Sequence, residues 1–311
     1  MSRASVIAML VAVEIAIVAV ALFATGGLRW NGTRWSGQAF VSMQHYDFAA
    51  KPIAPLDAGS TPRVTIEDPQ SRVAVNASSD GRVHVSDLTS VGGLRFASES
   101  SIPQLRVTRT ADGVSIVRAP HQAFFVIGSV DERIDVDVPP GSRVEISRCE
   151  GADVTGIAGG VSVHSQDGHV TLAELRGKVD AESDDGYIEA SSIRGDSLGV
   201  HSSDGHLGLR DVAVQTLQAH TDDGRVRVER LSGLGNGTIS TDDGSIDLEL
   251  AAGSNLTVDA STGDGSIALD GSTVEHDSDS VQHTITLGKG TGTLRVSTGD
   301  GSIHILTNGA Q

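Results

Sequence analysis

Two sets of side chains in this sequence stand at spacings that could do chemistry. Asp-Gly pairs begin at residues 167, 185, 204, 223, 243, 264 and 300, at intervals of 18, 19, 19, 20, 21 and 36 residues. Three of these aspartates follow a second acid, Asp184, Asp222 or Asp242, and three positions before the Asp stand His164, Glu182, His201 and His220. Serial carboxylates are the oxygen ligands a hard cation such as calcium takes. A file of histidines with a glutamate is the donor set for zinc, provided three or four of them converge on one point.

Each set also has an account without a ligand. In an Asp-Gly turn the glycine is expected to take positive φ without a Cβ penalty, and the aspartate to accept nearby backbone N–H groups. The known calcium-binding roll repeats Gly-Gly-x-Gly-x-Asp with a period of about nine residues, and that signature is missing. Asp167, Gly168, Asp185, Gly186, Asp204, Gly205, Asp223, Gly224, Asp243, Gly244, Asp264, Gly265, Asp300 and Gly301 are therefore expected as structural turns. The histidines are expected as a solvated column. No metal and no other cofactor is expected, and calcium is the ligand to test. His164, Glu182, His201, His220, Asp184, Asp222 and Asp242 are its weak candidates, or zinc's.

The elements that must position these residues are legible around the turn. Two residues before each Asp stands Ser or Thr (165, 183, 202, 221, 241, 262, 298), and four before stands Val, Ala or Ile. Three after come Val170, Ile188, Leu207, Val226, Ile246, Ile267 and Ile303, and five after comes another aliphatic residue or alanine. This is the period-two alternation of strands with one buried face. A meander of hairpins and a coil of parallel rungs both fit an Asp-Gly turn. Only the coil requires that equivalent residues stack, so that each column keeps one chemical type. The fold class expected is all-β, a parallel β-solenoid (β-helix) of about 19-residue rungs rising about 4.8 Å each. The long last step, from 264 to 300, reads as an excursion with a hairpin near 277–280.

The stretch "IDVDVPPGSRVEISRCEGADVTGIAGGVSVHSQDGHVTLAELRGKVDAESDDG", residues 134–186, resembles the bacterial "putative adhesin" family of β-strand repeats, a group of unknown function. Its pattern is a Val-rich strand, a Pro-Gly step, then serial G-x-V-x-V/S-x-S-x-D-G-x-V rungs. The likeness covers about residues 63–311. It implies a membrane-tethered or exported β-solenoid and supplies no catalytic residues.

Before the repeat, Val6 to Ala24 reads "VIAMLVAVEIAIVAVALFA", 19 residues with Glu14 as the one charge. That length is enough for a helix to cross a hydrocarbon core. A cleaved signal peptide is the competitor, with Ala19-Val20-Ala21 as a weak site inside the apolar run. The organisation expected is an N-terminal transmembrane helix within 1–28, a tether over 29–62 containing Pro52, Pro55 and Pro62, an irregular β cap or first distorted rungs over 63–140, and the solenoid over 141–311. In 63–140, Ser78-Ser79-Asp80-Gly81 with Val83 and Val85 keeps the phase of the repeat, whereas Asp112-Gly113 does not.

Charge narrows the partners. Residues 1–140 hold 12 basic and 13 acidic side chains, and 141–311 hold 11 and 27. So acidic a body repels phosphate backbones, which excludes nucleic acid as the expected partner. No His-Glu-x-x-His or Cys-x-x-Cys is present. Polysaccharide lyases and hydrolases built on β-helices are the rival by fold analogy. They need paired acids or a base over the scissile bond, yet lysine occurs only at 51, 178 and 289 and aromatics are 3%. The function expected is a non-catalytic, single-pass, extracytoplasmic module of the cell membrane, structural or adhesin-like. The alternatives are a carbohydrate-binding or carbohydrate-active β-helix and an envelope signalling ectodomain. Its partners would be the membrane through residues 6–24, an envelope polysaccharide or protein, and other copies end to end through an uncapped rung at Ile303–Ile305. The lone Cys149 is expected as a small buried residue.

Overall fold

A computed structural model describes residues 53–95, 105–118, 126–273 and 281–307, with three short strands before them, Arg29–Trp30, Trp35–Ser36 and Tyr46–Ala49. The expected membrane span and the hairpin expected near 277–280 lie outside the described residues. Among the described residues every regular element is a strand, and no helix is long and apolar enough to cross a membrane.

The alternating sequence folds as two facing sheets of 12 and 13 strands, and each rung gives one strand to each. The strand before the Asp-Gly pair joins the first sheet, and the strand after it joins the second. Neighbouring rungs run parallel and in the register that the columns demand. Val163 pairs with Ala181, Ala181 with Val200 and Val200 with Ala219; across the turn Val170 pairs with Ile188 and Ile188 with Leu207. Val170, Ile188 and Leu207 are no more than 1% exposed. Because successive side chains of a strand point to opposite faces, these files meet between the sheets as one continuous aliphatic core.

At the corner opposite the Asp-Gly turn the first left-handed residue of each regular rung is not glycine. Glu174, Ser192, Asp211 and Arg230 have φ between 53 and 57°. In three of them the left-handed residue turns its N–H toward the next rung, with Glu174 N donating to Ser191 O, Ser192 N to Arg210 O and Asp211 N to Glu229 O at 2.9–3.1 Å. The following residue then points inward, so Leu175, Ile193, Val212 and Leu231 are completely buried. Burial of an aliphatic side chain, worth about 1.5–3 kcal/mol, offsets the roughly 1–2 kcal/mol that the left-handed backbone costs a residue with a Cβ.

The rungs do not stack in chain order. Strands Arg63–Glu67 and Arg72–Ala77 form a rung between that of Gly113–Val117 with Val126–Val138 and that of Arg143–Arg148 with Gly151–Thr155. At the other end the last rung of the sequence, Gly292–Asp300 with Ile303–Leu306, inserts between Asn236–Leu250 and Leu256–Leu269. The uncapped edge expected at Ile303–Ile305 is thus interior, paired on both sides. Antiparallel strands close the ends instead: His84–Arg95 and Arg106–Arg109 on one, Ser272–Thr273 and Val281–Thr286 on the other. Asp80-Gly81 and Val83, in phase by sequence, lead into the antiparallel His84–Arg95 rather than into a parallel rung.

Candidate functional site

The Asp-Gly turns line one long edge of the stack. Asp223, Asp243, Asp300 and Asp264 are neighbours in that order by strand register. All seven aspartates of the column are exposed, and none of their carboxylates accepts a hydrogen bond from a described residue, contrary to the expected local caps. The expected reason for the glycines also fails, since positive φ is found only at Gly301 among the seven. Space is what requires them. A Cβ at Gly186, Gly205 or Gly224 would stand 2.0–2.3 Å from the carbonyl oxygen of the turn glycine one rung earlier.

That same carbonyl explains the Ser/Thr file. Ser202 donates to Gly186 O at 2.8 Å, Thr221 to Gly205 O at 2.8 Å, Thr241 to Gly224 O at 3.2 Å, Thr298 to Gly244 O at 2.9 Å and Thr262 to Gly301 O at 2.9 Å. The hydroxyls are buried, so each satisfies an acceptor that would otherwise be left unpaired at the sheet edge. Small glycine, inward hydroxyl and outward acid together make a stacking joint.

The candidate metal ligands pair off rather than converge. His164 Nδ1 lies 3.3 Å from a Glu182 oxygen. His201 and His220 stack with centroids 5.2 Å apart, and His220 meets Asp222 and Ser240, each at 2.9 Å. Asp184 and Asp242 are exposed. Among the described residues no three His, Cys, Asp or Glu side chains form a group able to hold a metal ion.

Arginines on the outer face of the second sheet follow the same rule of pairing along the stack. Glu229 lies between Arg210 and Arg227, with Nε–O distances of 2.9 and 2.8 Å. The hydrogen bond from Arg210 is the main reason its carboxyl lies below its ordinary value, with Arg227 helping and partial desolvation opposing. Arg230 pairs with Asp211, and His304 with Asp247 at 3.0 Å. Between Glu189, Gly208, Arg210 and Arg227 the missing side chain of Gly208 leaves a hollow of about 160 Å³.

One cluster escaped the sequence reading because its members are 64 residues apart along the chain. Arg118, 2% exposed, contacts Asp68 at 2.6 Å, Asp87 at 2.7 Å and Glu132 at 3.7 Å, and Ser71 donates to Asp68 at 2.7 Å. Burial acts against the charge on Arg118, but its carboxylate partners outweigh it and hold the guanidinium charged. Arg118 ends the strand Gly113–Val117, Asp68 follows Arg63–Glu67, and Asp87 and Glu132 lie on the antiparallel pair above them. The cluster fastens the hairpin end to the first rungs. Cys149 is buried nearby, and desolvation pushes its thiol up to about 11.

Two solved structures align with this chain at low identity. A Bacteroides fragilis crystal structure named as a putative adhesin aligns at 11% identity and a TM-score of 0.44, over 84% of this chain and 96% of its own. A Clostridium sporogenes crystal structure named as a putative cell adhesion protein aligns at 10% and 0.27, over 85% of this chain and 100% of its own. No curated protein matches. The model of the Toastrack DUF4097 family matches residues 60–306, ten stacked rungs with their end strands, and the chain belongs to that family.

Proposed function

We propose that this Toastrack domain is the extracytoplasmic part of a single-pass membrane protein and acts without catalysis, as a structural or adhesin-like module. The observation that carries the reading is how the outer faces use their polar side chains. On the sheet faces several arginines are joined to acids one rung away or on the same rung, as in Arg210–Glu229–Arg227, Arg72–Asp153 and Arg63–Glu145, while the turn aspartates stand exposed along one edge. Polar groups arranged in this way present a long, regular surface of paired charges edged by acids. Catalysis requires instead that titratable groups converge within hydrogen-bond reach of one reacting atom. The apolar run at 6–24 supports the tether, and the acidic body of 141–311 supports a location away from nucleic acid.

Cell fractionation with tags at both ends of the full chain tests the reading. Both tags should stay in the membrane fraction, and the C-terminal tag should be digested by protease added to cells whose outer barriers have been opened. Removal of residues 1–28 should release the protein. Cleavage of uronic-acid polymers or other glycans by the purified chain would overturn the non-catalytic assignment, and a protease-protected C-terminal tag would overturn the topology.

A further inference from the structure

The two ends of the first sheet are protected unequally. Arg106–Arg109, the end strand beside the first rungs, is short and carries an arginine at each terminus. Val281–Thr286, the end strand at the other extreme, reads Val-Gln-His-Thr-Ile-Thr, without Lys, Arg, Asp, Glu or Pro. Among the described residues no strand pairs with its outer side, where the N–H and C=O groups of alternate residues face outward. Soluble proteins ordinarily blunt such an edge with charge, proline or brevity. The matching end of the second sheet obeys that rule, being only Ser272–Thr273.

We infer that Val281–Thr286 is a docking edge for a second copy of this chain, and that it receives the strand Arg106–Arg109 of that copy head to tail. Polarity allows it. Each end strand is antiparallel to the parallel rungs it covers, so the two run in the same direction, and a copy translated along the stack brings them together as a parallel pair. The core allows it as well. Leu105 and Val107 at one end, and Leu269 and Ile285 at the other, are packed against the core yet only partly buried, so juxtaposed ends would continue the aliphatic filling from one molecule into the next. Charge selects the arrangement. Exposed Arg106 and Arg109 would meet the end whose last rung and turn carry Asp259, Asp264 and Asp270, whereas two acidic ends would repel. A translational contact of this kind does not close, and it generates filaments rather than dimers.

The test uses the full-length protein in detergent micelles, with Thr108→Cys and Thr284→Cys introduced singly and together. Cys149 is buried, so the new thiols are the reactive ones toward a short bis-maleimide. The double variant should give a ladder of dimers, trimers and longer species, and neither single variant should cross-link. Adding Ile285→Lys should reduce the ladder roughly tenfold or more by placing a charge in the apolar seam, with circular dichroism confirming that the variant is folded. High salt should weaken the ladder, as expected of a charge-selected contact. Dimers from Thr284→Cys alone would replace the head-to-tail contact with a two-fold one, and a strictly monomeric double variant at high concentration would discard the edge as a self-association site. Either result leaves the topology of the chain, tested separately, untouched.

Discussion

Between Val161 and Leu250 the rungs stack in the order in which the chain makes them, and at both ends that order is exchanged. In the middle a two-residue corner such as Glu174-Leu175 or Asp211-Val212 lifts the chain by one level. At the ends the chain skips a level, leaving a gap filled by a strand made much earlier or much later. Both skips pass through the same local turn. Ser142 gives its N–H and its hydroxyl to Pro139 O at 2.9 and 2.6 Å, and Ser254 gives both to Ala251 O at 3.2 and 2.6 Å. The sequences are Pro-Pro-Gly-Ser and Ala-Ala-Gly-Ser. The comparison separates two sources of order, local repetition in the middle and long-range closure at the ends. It predicts that they respond to different substitutions.

The largest effect should come from the middle. In Gly205→Val the new Cβ would stand 2.0 Å from Gly186 O, a backbone atom in a stacked strand that has nowhere to move. A loss of about 5 kcal/mol is expected, at the top of the range for single substitutions. Gly81→Ala at the hairpin end meets nothing within 4 Å, although φ is +71° there, and should cost only about 1 kcal/mol. Urea unfolding of both variants measures the contrast. Equal losses would mean that stacking distance is not what the turn glycines secure.

Next comes the cluster that fastens the early rungs. Arg118→Ala leaves Asp68 and Glu132 buried without their shared cation, a change worth about 3–5 kcal/mol. Here the damage should stay local. Hydrogen exchange should quicken over His84–Arg95, Gly113–Val117 and Val126–Val138 while Val170–Arg210 keeps its protection, because each rung of a solenoid contacts only its neighbours. Uniform acceleration along the stack would show one cooperative unit instead.

How much of this was legible in the sequence follows the same division. The columns were, since period-two burial and a repeat of about 19 residues write each file directly into residue types. The neighbour of each rung was not, because a Val/Ile/Leu file and a Ser/Thr file fit any other rung equally well. Only the two Gly-Ser turns mark the places where the order changes, and they read as ordinary turns. Nor did the Asp-Gly pair disclose its several uses. Asp270-Gly271 has φ of 47 and 79° and forms a two-residue hairpin between Ile267–Leu269 and Ser272–Thr273, the geometry for which that dipeptide is best known. The seven pairs in phase are stacking joints that need a missing Cβ. The left-handed Glu174, Ser192, Asp211 and Arg230 had no compositional signal, because inward burial of the next residue, rather than glycine, holds them.

A smaller effect sharpens the account of the joint. Thr221→Val keeps shape and burial but deprives Gly205 O of its 2.8 Å donor, an expected loss of about 1–2 kcal/mol. Thr221→Ser, which keeps the hydroxyl, should recover most of it. Calorimetry of the pair decides whether the file is retained for its hydrogen bond or only for its size.

The smallest effect concerns the outer face, where pairing along the stack costs and gains little. Glu229 has its carboxyl below the ordinary value of 4.5, chiefly through Arg210. A depressed carboxyl contributes stability that is present above its unfolded value and is lost as pH falls through the folded one. Glu229→Gln should therefore flatten the decline in melting temperature below pH 4.5 and change little near neutrality. Arg210→Gln should act in the same direction more weakly, since Arg227 still reaches the carboxylate at 2.8 Å. A Glu229→Gln variant with the parent's acid profile would mean that the arginine clamp orders the surface without stabilising the fold, and the regularity of that face would then rest on the stacked backbone alone.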